Sequence, residues 1–357
     1  REEYLKSKGI NFFGAGISGG AKGARLGPSI MPGGSNEAYE LVQPIFEAVA
    51  AKCEGEPCVA YLGPKSAGNY VKMVHNGIEY GLMQLTSEIY DILKRTGDYN
   101  NKELHELFDK WNQGRLQSYL IEITAEILKK EDDIGDGYLV DKILDKAKQK
   151  GTGKWTSQNA MDLGIPIPSI DIAVSMREIS ALKEKRLQAN KAYSKPSIEK
   201  LAKTNLEQWA EEALYFSFIL CYAQGFHQLT EASKEYGYAL NLSTIAKIWR
   251  AGCIIRAGLL KDIAAAYSNN NNLSHLLLDA LFIEKIETTV QSARKLISFA
   301  VRNGIPSPGL SNKLTYFDAL TSDTLPLNLI QAQRDYFGSH RYERIDREGI
   351  FHTQWSK

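Results

Sequence analysis

A chain of 357 residues is long enough for two domains, or for one domain with part of another. With 43 Lys and Arg against 42 Asp and Glu the formal charge is +1, so no global field recruits nucleic acid or an anionic membrane, and no apolar run reaches the length of a bilayer span. The four cysteines (Cys53, Cys58, Cys221, Cys253) form no C-x-x-C pair and the six histidines show no metal-ligand spacing, which argues against a zinc site, a disulfide framework or a metalloenzyme and suits a cytoplasmic protein.

The N-terminus, "REEYLKSKGINFF", is charged and helical in character and has no signal-peptide pattern. From there to about Gly68, short helical and strand-like stretches alternate. "INFFGAG" and "SIMPGG" read as strands, "NEAYELVQPIFEAVAAK" as an amphipathic helix and "CVAYLG" as a third strand. That is the α/β pattern, too short for a whole doubly wound domain, and it reads as the tail of one. Within it, "GAGISGG" (Gly14–Gly20) satisfies G-x-G-x-x-G formally. Gly23, Gly27 and Pro28 follow too closely to leave room for a crossover helix, so the nucleotide fingerprint is weak even with Glu37 at a tolerable distance. An anion loop with help from the Ser18 hydroxyl, and a plain glycine turn, both stay open.

From Asn69 onward the 3.6-residue period dominates, broken at "EDDIGDG", "GIPIPS", "NNNN" and "GIPSPG". Three pairs of echoes run in the same order: "QLTSE" with "QLTEA", "WNQGR" with "WRAGC", and "GIPIP" with "GIPSP", at offsets of 144, 138 and 140 residues. They predict one all-α body built from two related halves.

The first long helix carries a polar stripe in "VKMVHNGIEYG". Lys72, His75 or Asn76, and Glu79 share a face, with Lys72 and Glu79 about 10 Å apart along the axis. An ordinary Lys/Glu pair on a solvated face is the bland alternative. The repeat supplies an internal control. At the 144-residue offset Lys72, His75, Asn76 and Glu79 fall opposite Phe216, Ile219, Leu220 and Ala223, while Gly81 falls opposite Gly225. The same helix is therefore built without these groups, and an amine, an imidazole, an amide and a carboxylate on one stripe suit general acid–base chemistry.

"QKGTGKWT" fails the Walker pattern, because Trp155 follows Lys154, but Lys150 and Lys154 on a glycine-relieved loop could bind a phosphate monoester. "DDIGDG" lacks the ligands of a calcium loop, with Ile134 and Ile143 at ligand positions. The terminal "QAQRDYFGSHRYERIDREGIFHTQWSK" shows no helical face and reads as an extended arm; its Arg334, His340 and Arg341 could form an anion fork.

Taken together, "GAGISGG…GARLGPSIMPGG", "GNYVKMVHNGIEYG", "QKGTGKWT", "YAQGF", "CIIR" and "LIQAQRDYFGSH" resemble the decarboxylating 6-phosphogluconate dehydrogenases along essentially the whole chain. The resemblance implies an NADP-dependent oxidoreductase of the pentose phosphate pathway (pentose shunt) and of gluconate utilization, acting as a homodimer without metal. Lys72 would be the general base and Glu79 the acid. Ser18, Gly19 and Gly20 would hold the substrate carboxylate, His75 and Asn76 its hydroxyls, and Tyr80, Lys150 and Arg177 its phosphate, joined by Arg334 and His340 from the other subunit. The layout would be residues 1–68 as the C-terminal part of a Rossmann-like nucleotide domain, 69–330 as an all-α domain, and 331–357 as an arm reaching the partner. The family's nucleotide fingerprint is not found in this sequence, so most of the nucleotide-binding domain is expected to be lacking and the cofactor-binding residues are not assigned. Ala21, Lys22 and Leu82 depart from the family's acidic positions. Two other readings are a β-hydroxyacid dehydrogenase of the 3-hydroxyisobutyrate type and a non-catalytic helical binding module.

Overall fold

A short charged helix, α1 (Glu2–Lys6), leads into strand β1 (Phe13–Ser18), helix α2 (Gly20–Leu26) and strand β2 (Ser29–Gly34). The two strands pair antiparallel, Phe13 opposite Gly34 and Ser18 opposite Ser29. The glycine run enters a short helix of seven residues, and the room that sequence spacing denied to a crossover helix is indeed missing. The chain then returns beside β1, so α2 is an insert in a hairpin and not the crossover of a parallel βαβ unit. The stretch expected as one helix is two, α3 (Asn36–Glu40) and α4 (Gln43–Val49). Ser35 caps the first through its hydroxyl, and Pro44 in the first turn of the second has no N–H to continue the ladder. "CVAYLG" is not a strand. After a small hairpin, β3 (Lys52–Cys53) with β4 (Glu56–Pro57), it runs parallel to β2 with one bridge, Ile30 to Val59.

This computed structural model describes residues 2–355, and the chain separates into two compact units, Arg1–Leu314 and Thr315–Lys357. In the first, the hairpin is followed by α5 (Ala67–Thr96), α6 (Asn101–Asn112), α7 (Tyr119–Lys129), α8 (Thr152–Asp162), α9 (Pro168–Ala181) and α10 (Lys183–Ala192). Then come α11 (Lys203–Tyr236), α12 (Leu242–Ile248), α13 (Leu259–Asn269), α14 (Ala280–Glu287), α15 (Val290–Arg302) and α16 (Pro308–Leu320), the last crossing into the second unit. The core lies where α5 runs along α11: Gly81 lets Cys221 approach, and Gly225 lets Ile78 approach. Helices α8 and α9 cover α5 and the hairpin packs on its N-terminal half.

One polar group ties this core together. The buried Glu88 carboxylate accepts the N–H groups of Gly309 and Leu310 in the first turn of α16, and the Gln84 amide. Burial pushes Glu88 up to about 7, against those bonds and the nearby Lys313 charge, all of which pull it down. In the unfolded chain the same group titrates near 4.5. Between those values the folded protein keeps a proton that the unfolded chain has shed. Stability is thus greatest below the lower value and falls as pH rises through the upper one, by roughly 3 kcal/mol. Urea unfolding at pH 5 and pH 8 is expected to show this fall, and Glu88→Gln to flatten it.

The second unit continues from α16 into α17 (Leu327–Gly338) and a hairpin, β5 (Tyr342–Glu343) with β6 (Ile350–Phe351). The terminal stretch is therefore not extended throughout. Leu, Gln, Ala and Arg are good helix formers, and "QAQRDYFG" forms a helix without an apolar face to announce it.

Candidate active site

Three residues on one face of α5 are joined directly. Lys72 Nζ donates to Asn76 Oδ1 at 2.6 Å and lies 3.3 Å from His75 Nδ1, which is itself 3.1 Å from Asn76 Oδ1. The stem of Lys72 runs across β1 at Gly16, where a Cβ would come within 2.3 Å of the Lys72 Cβ. Only glycine admits the helix this close, so the strand that ends in Ser18 is held against the Lys72 stem.

Burial sets the chemistry of the stripe. Desolvation pulls the half-buried Lys72 amine below the usual lysine range, against the charges of Glu79 and Cys253. The same effect raises Glu79, opposed by Lys72 and Arg177. His75 has no exposed surface, and burial together with the Lys72 charge keeps its imidazole neutral, well below the usual range. Its Nε2 has no hydrogen-bond partner among the described residues. An amine made easier to deprotonate on the same helix face as a carboxyl made easier to protonate has the chemistry an acid–base pair needs.

Further along the face is a cationic end. The Arg177 guanidinium of α9 lies over the Tyr80 ring, 3.4 Å from its centroid, and donates to the Lys148 carbonyl. Lys150 is exposed on the loop before α8, and Gly151 takes a left-handed conformation (φ 97°) that opens that helix. Thr152, at its first position, accepts from Asn76 Nδ2 at 3.2 Å and so joins the loop to the stripe. Sequence reasoning passed over Thr152, although a threonine between two glycines after Lys150 was a usable signal.

Ser18 is buried and its hydroxyl accepts from the Ile254 N–H at 3.4 Å. Gly19, at φ 144°, passes so near the Gly252 carbonyl that a Cβ would sit 2.5 Å from it. The segment from Trp249 to Arg256 thus props the Ser-Gly-Gly turn, while the Trp249 ring meets His75 edge-on at 5.5 Å. No sequence signal connected that segment to the site. Arg334 and His340 lie in the second unit, exposed on and just after α17.

The described residues form no cradle for a dinucleotide pyrophosphate, since β1 is followed by a seven-residue helix and an antiparallel return. Among them no group of three or more His, Cys, Asp or Glu is arranged to hold a metal ion, and no helix is long and apolar enough to cross a membrane.

Comparison with known proteins identifies the family. The family model described as "6-phosphogluconate dehydrogenase, C-terminal domain" matches residues 68–355, and "NAD binding domain of 6-phosphogluconate dehydrogenase" matches residues 1–63. A Rossmann-like NAD-binding domain followed by a large helical domain is the organisation these matches define. The chain belongs to the 6-phosphogluconate dehydrogenase family. It is 54% identical over 358 residues to "6-phosphogluconate dehydrogenase, decarboxylating" of Lactococcus lactis subsp. lactis (strain IL1403), covering 99% of this chain and 76% of the relative. It is also 54% identical over 359 residues to the "NADP(+)-dependent, decarboxylating" enzyme of Bacillus subtilis (strain 168), covering 100% and 76%. Among solved structures, Plasmodium falciparum 6-phosphogluconate dehydrogenase, described in apo form and in complexes with NADP+ and 6-phosphogluconate, superposes with a TM-score of 0.97 at 50% identity. It covers 99% of this chain and 77% of that one. The expectation that the nucleotide-binding domain is largely lacking is corrected by the match over residues 1–63.

Proposed function

We propose that this chain catalyses the oxidative decarboxylation of 6-phosphogluconate to ribulose 5-phosphate and CO2 with NADP as oxidant, in the pentose phosphate pathway. The observation that carries the reading is the acid–base stripe Lys72–His75–Asn76–Glu79, in a chain that aligns almost end to end with dehydrogenases of that name. Bound NADP would supply the hydride acceptor for C3. The neutral Lys72 amine takes the proton of the C3 hydroxyl, and the resulting ammonium returns it to the carbonyl oxygen as CO2 leaves the 3-keto acid. Glu79 then protonates C1 of the enediol as the neutral Lys72 amine takes the proton of the C2 enol hydroxyl, which becomes the carbonyl. His75 and Asn76 hold substrate hydroxyls, and the Asn76 bond fixes where the Lys72 nitrogen points. Ser18, Gly19 and Gly20 take the carboxylate. Tyr80, Lys150 and Arg177 take the phosphate, with Thr152 beside them.

The same reading makes the protein a cytoplasmic homodimer, in which Arg334 and His340 complete the phosphate site of the neighbouring subunit. It divides the chain into residues 1–68, an all-α domain over 69–330 and an arm over 331–357. Duplication of the helical domain is supported by the order of its elements: the long helices α5 and α11 are each followed by shorter ones, α6 and α7 matching α12 and α13, with α9 and α16 both opening at a proline.

The test is NADPH absorbance on mixing the purified protein with 6-phosphogluconate and NADP. Steady NADPH formation with release of CO2 is the expected result. Turnover of 3-hydroxyisobutyrate in place of 6-phosphogluconate would overturn it.

A further inference from the structure

Asp335 sits on α17 directly after Arg334 and has no exposed surface. Its carboxylate is fully engaged. Oδ1 accepts the Arg341 N–H at 2.8 Å and lies 2.9 Å from His352 Nδ1, while Oδ2 accepts the Thr353 N–H at 3.0 Å and the Trp355 indole N–H at 2.8 Å. Burial alone would raise this carboxyl; the four bonds outweigh it and hold the group well below the usual carboxylate range. All four donors come from chain that follows the helix. One buried anion therefore folds the segment from Ser339 to Trp355 back onto α17.

The segment between contains the residues of interest. Ser339 and Arg341, on either side of His340, both take the left-handed conformation, with φ 51° and 62°. Side chains other than glycine resist that conformation, so the turn persists only where its surroundings hold it. The His340 ring lies over Gly338, where a Cβ would come 2.6 Å from its Nε2, and meets the Phe337 ring edge-on at 5.9 Å. Arg334 is tied to the same frame: its guanidinium donates to Gln331 Oε1 at 3.0 Å, and Gln331 Nε2 donates to the Arg341 carbonyl at 2.5 Å.

We infer that Asp335 is a positioning residue, which presets the spacing of Arg334 and His340 so that the arm meets a phosphate with both groups already placed. This rests on the reading that those two residues bind the substrate phosphate. Preorganisation of this kind lowers the ordering cost of binding and so acts on affinity for the phosphorylated substrate rather than on the chemical step.

The experiment uses the full-length enzyme and two substrates, 6-phosphogluconate and gluconate, which lacks the phosphate. Asp335→Asn keeps the shape but removes the charge and turns an N–H2 toward N–H donors. It is expected to raise KM for 6-phosphogluconate by about tenfold to a hundredfold, the range of one to two charge-assisted hydrogen bonds. The change in kcat should stay within about threefold, and kcat/KM for gluconate should not change. Trp355→Phe removes one donor of four and is expected to act in the same direction by roughly threefold to tenfold. If Asp335→Asn does not fold, Trp355→Phe decides alone. Equal losses with both substrates would mark general damage to the arm and overturn the proposal. Arg334→Ala and His340→Ala separate the two readings. If they leave KM for 6-phosphogluconate unchanged, the phosphate assignment fails; if they raise it and neither the Asp335 nor the Trp355 variant does, the positioning role fails.

Discussion

Lys72→Met is expected to lower kcat with 6-phosphogluconate by about a thousandfold or more, because the variant keeps the length of the side chain and loses the amine placed to take the C3 hydroxyl proton. The fold should survive. The stem that crosses Gly16 is apolar in both residues, and exchanging a half-buried ammonium for a thioether removes a desolvation penalty rather than creating one. The loss on the other side is two hydrogen bonds, the 2.6 Å contact to Asn76 and the 3.3 Å contact to His75 Nδ1, which cost about 1 kcal/mol each and leave Asn76 its bond to Thr152. The measurements are NADPH formation for activity, calorimetric titration with 6-phosphogluconate for binding, and thermal unfolding for the fold. Near-wild-type kcat in a folded variant would remove lysine from the mechanism. Loss of binding together with loss of kcat would make Lys72 a binding group instead.

The proposed site can be argued from the amino-acid sequence, and the proposed duplication is what allows it. A polar stripe on one helix is usually a solvated face. Here the positions 144 residues further on, Phe216, Ile219, Leu220 and Ala223, are apolar, and all four are buried in α11. The comparison separates what the helix needs from what the chemistry needs. Where no such control exists, local pattern fails in identifiable ways. "CVAYLG" has the composition of a strand but runs beside β2 with a single bridge, because partner geometry and not propensity decides pairing. α17 has no apolar stripe, so periodicity misses it, while a single buried carboxylate, Asp335, orders the chain after it. The prop behind Ser18 and His75 comes from Trp249–Arg256, more than two hundred residues from Ser18, and sequence spacing holds no trace of a contact that only tertiary packing creates.

Glu79→Gln is expected to be nearly as damaging, with kcat lowered about a hundredfold to a thousandfold, but the loss should fall at a different step. Glutamine preserves the shape and has no proton to give to C1 of the enediol. In the proposed mechanism oxidation and decarboxylation use Lys72 and not Glu79, so the variant should form about one NADPH per site rapidly and then slow, whereas Lys72→Met should show no such burst. The pH profile gives a second signature. The productive state has a neutral Lys72 and a protonated Glu79, and it holds the same number of protons as the ion pair, Lys72 charged and Glu79 ionised. Burial lowers the lysine and raises the glutamate, and so shifts the balance toward the neutral pair. Activity is accordingly lost at low pH as Lys72 takes a second proton into the pair, and at high pH as Glu79 releases its own. The limbs of the bell belong to the pair. In Glu79→Gln the alkaline limb should vanish while the acid limb remains and does not move to lower pH, because in the wild type that limb already titrates the amine beside a protonated, uncharged carboxyl. Retention of both limbs, or steady turnover without a burst, would assign the C1 proton to another donor.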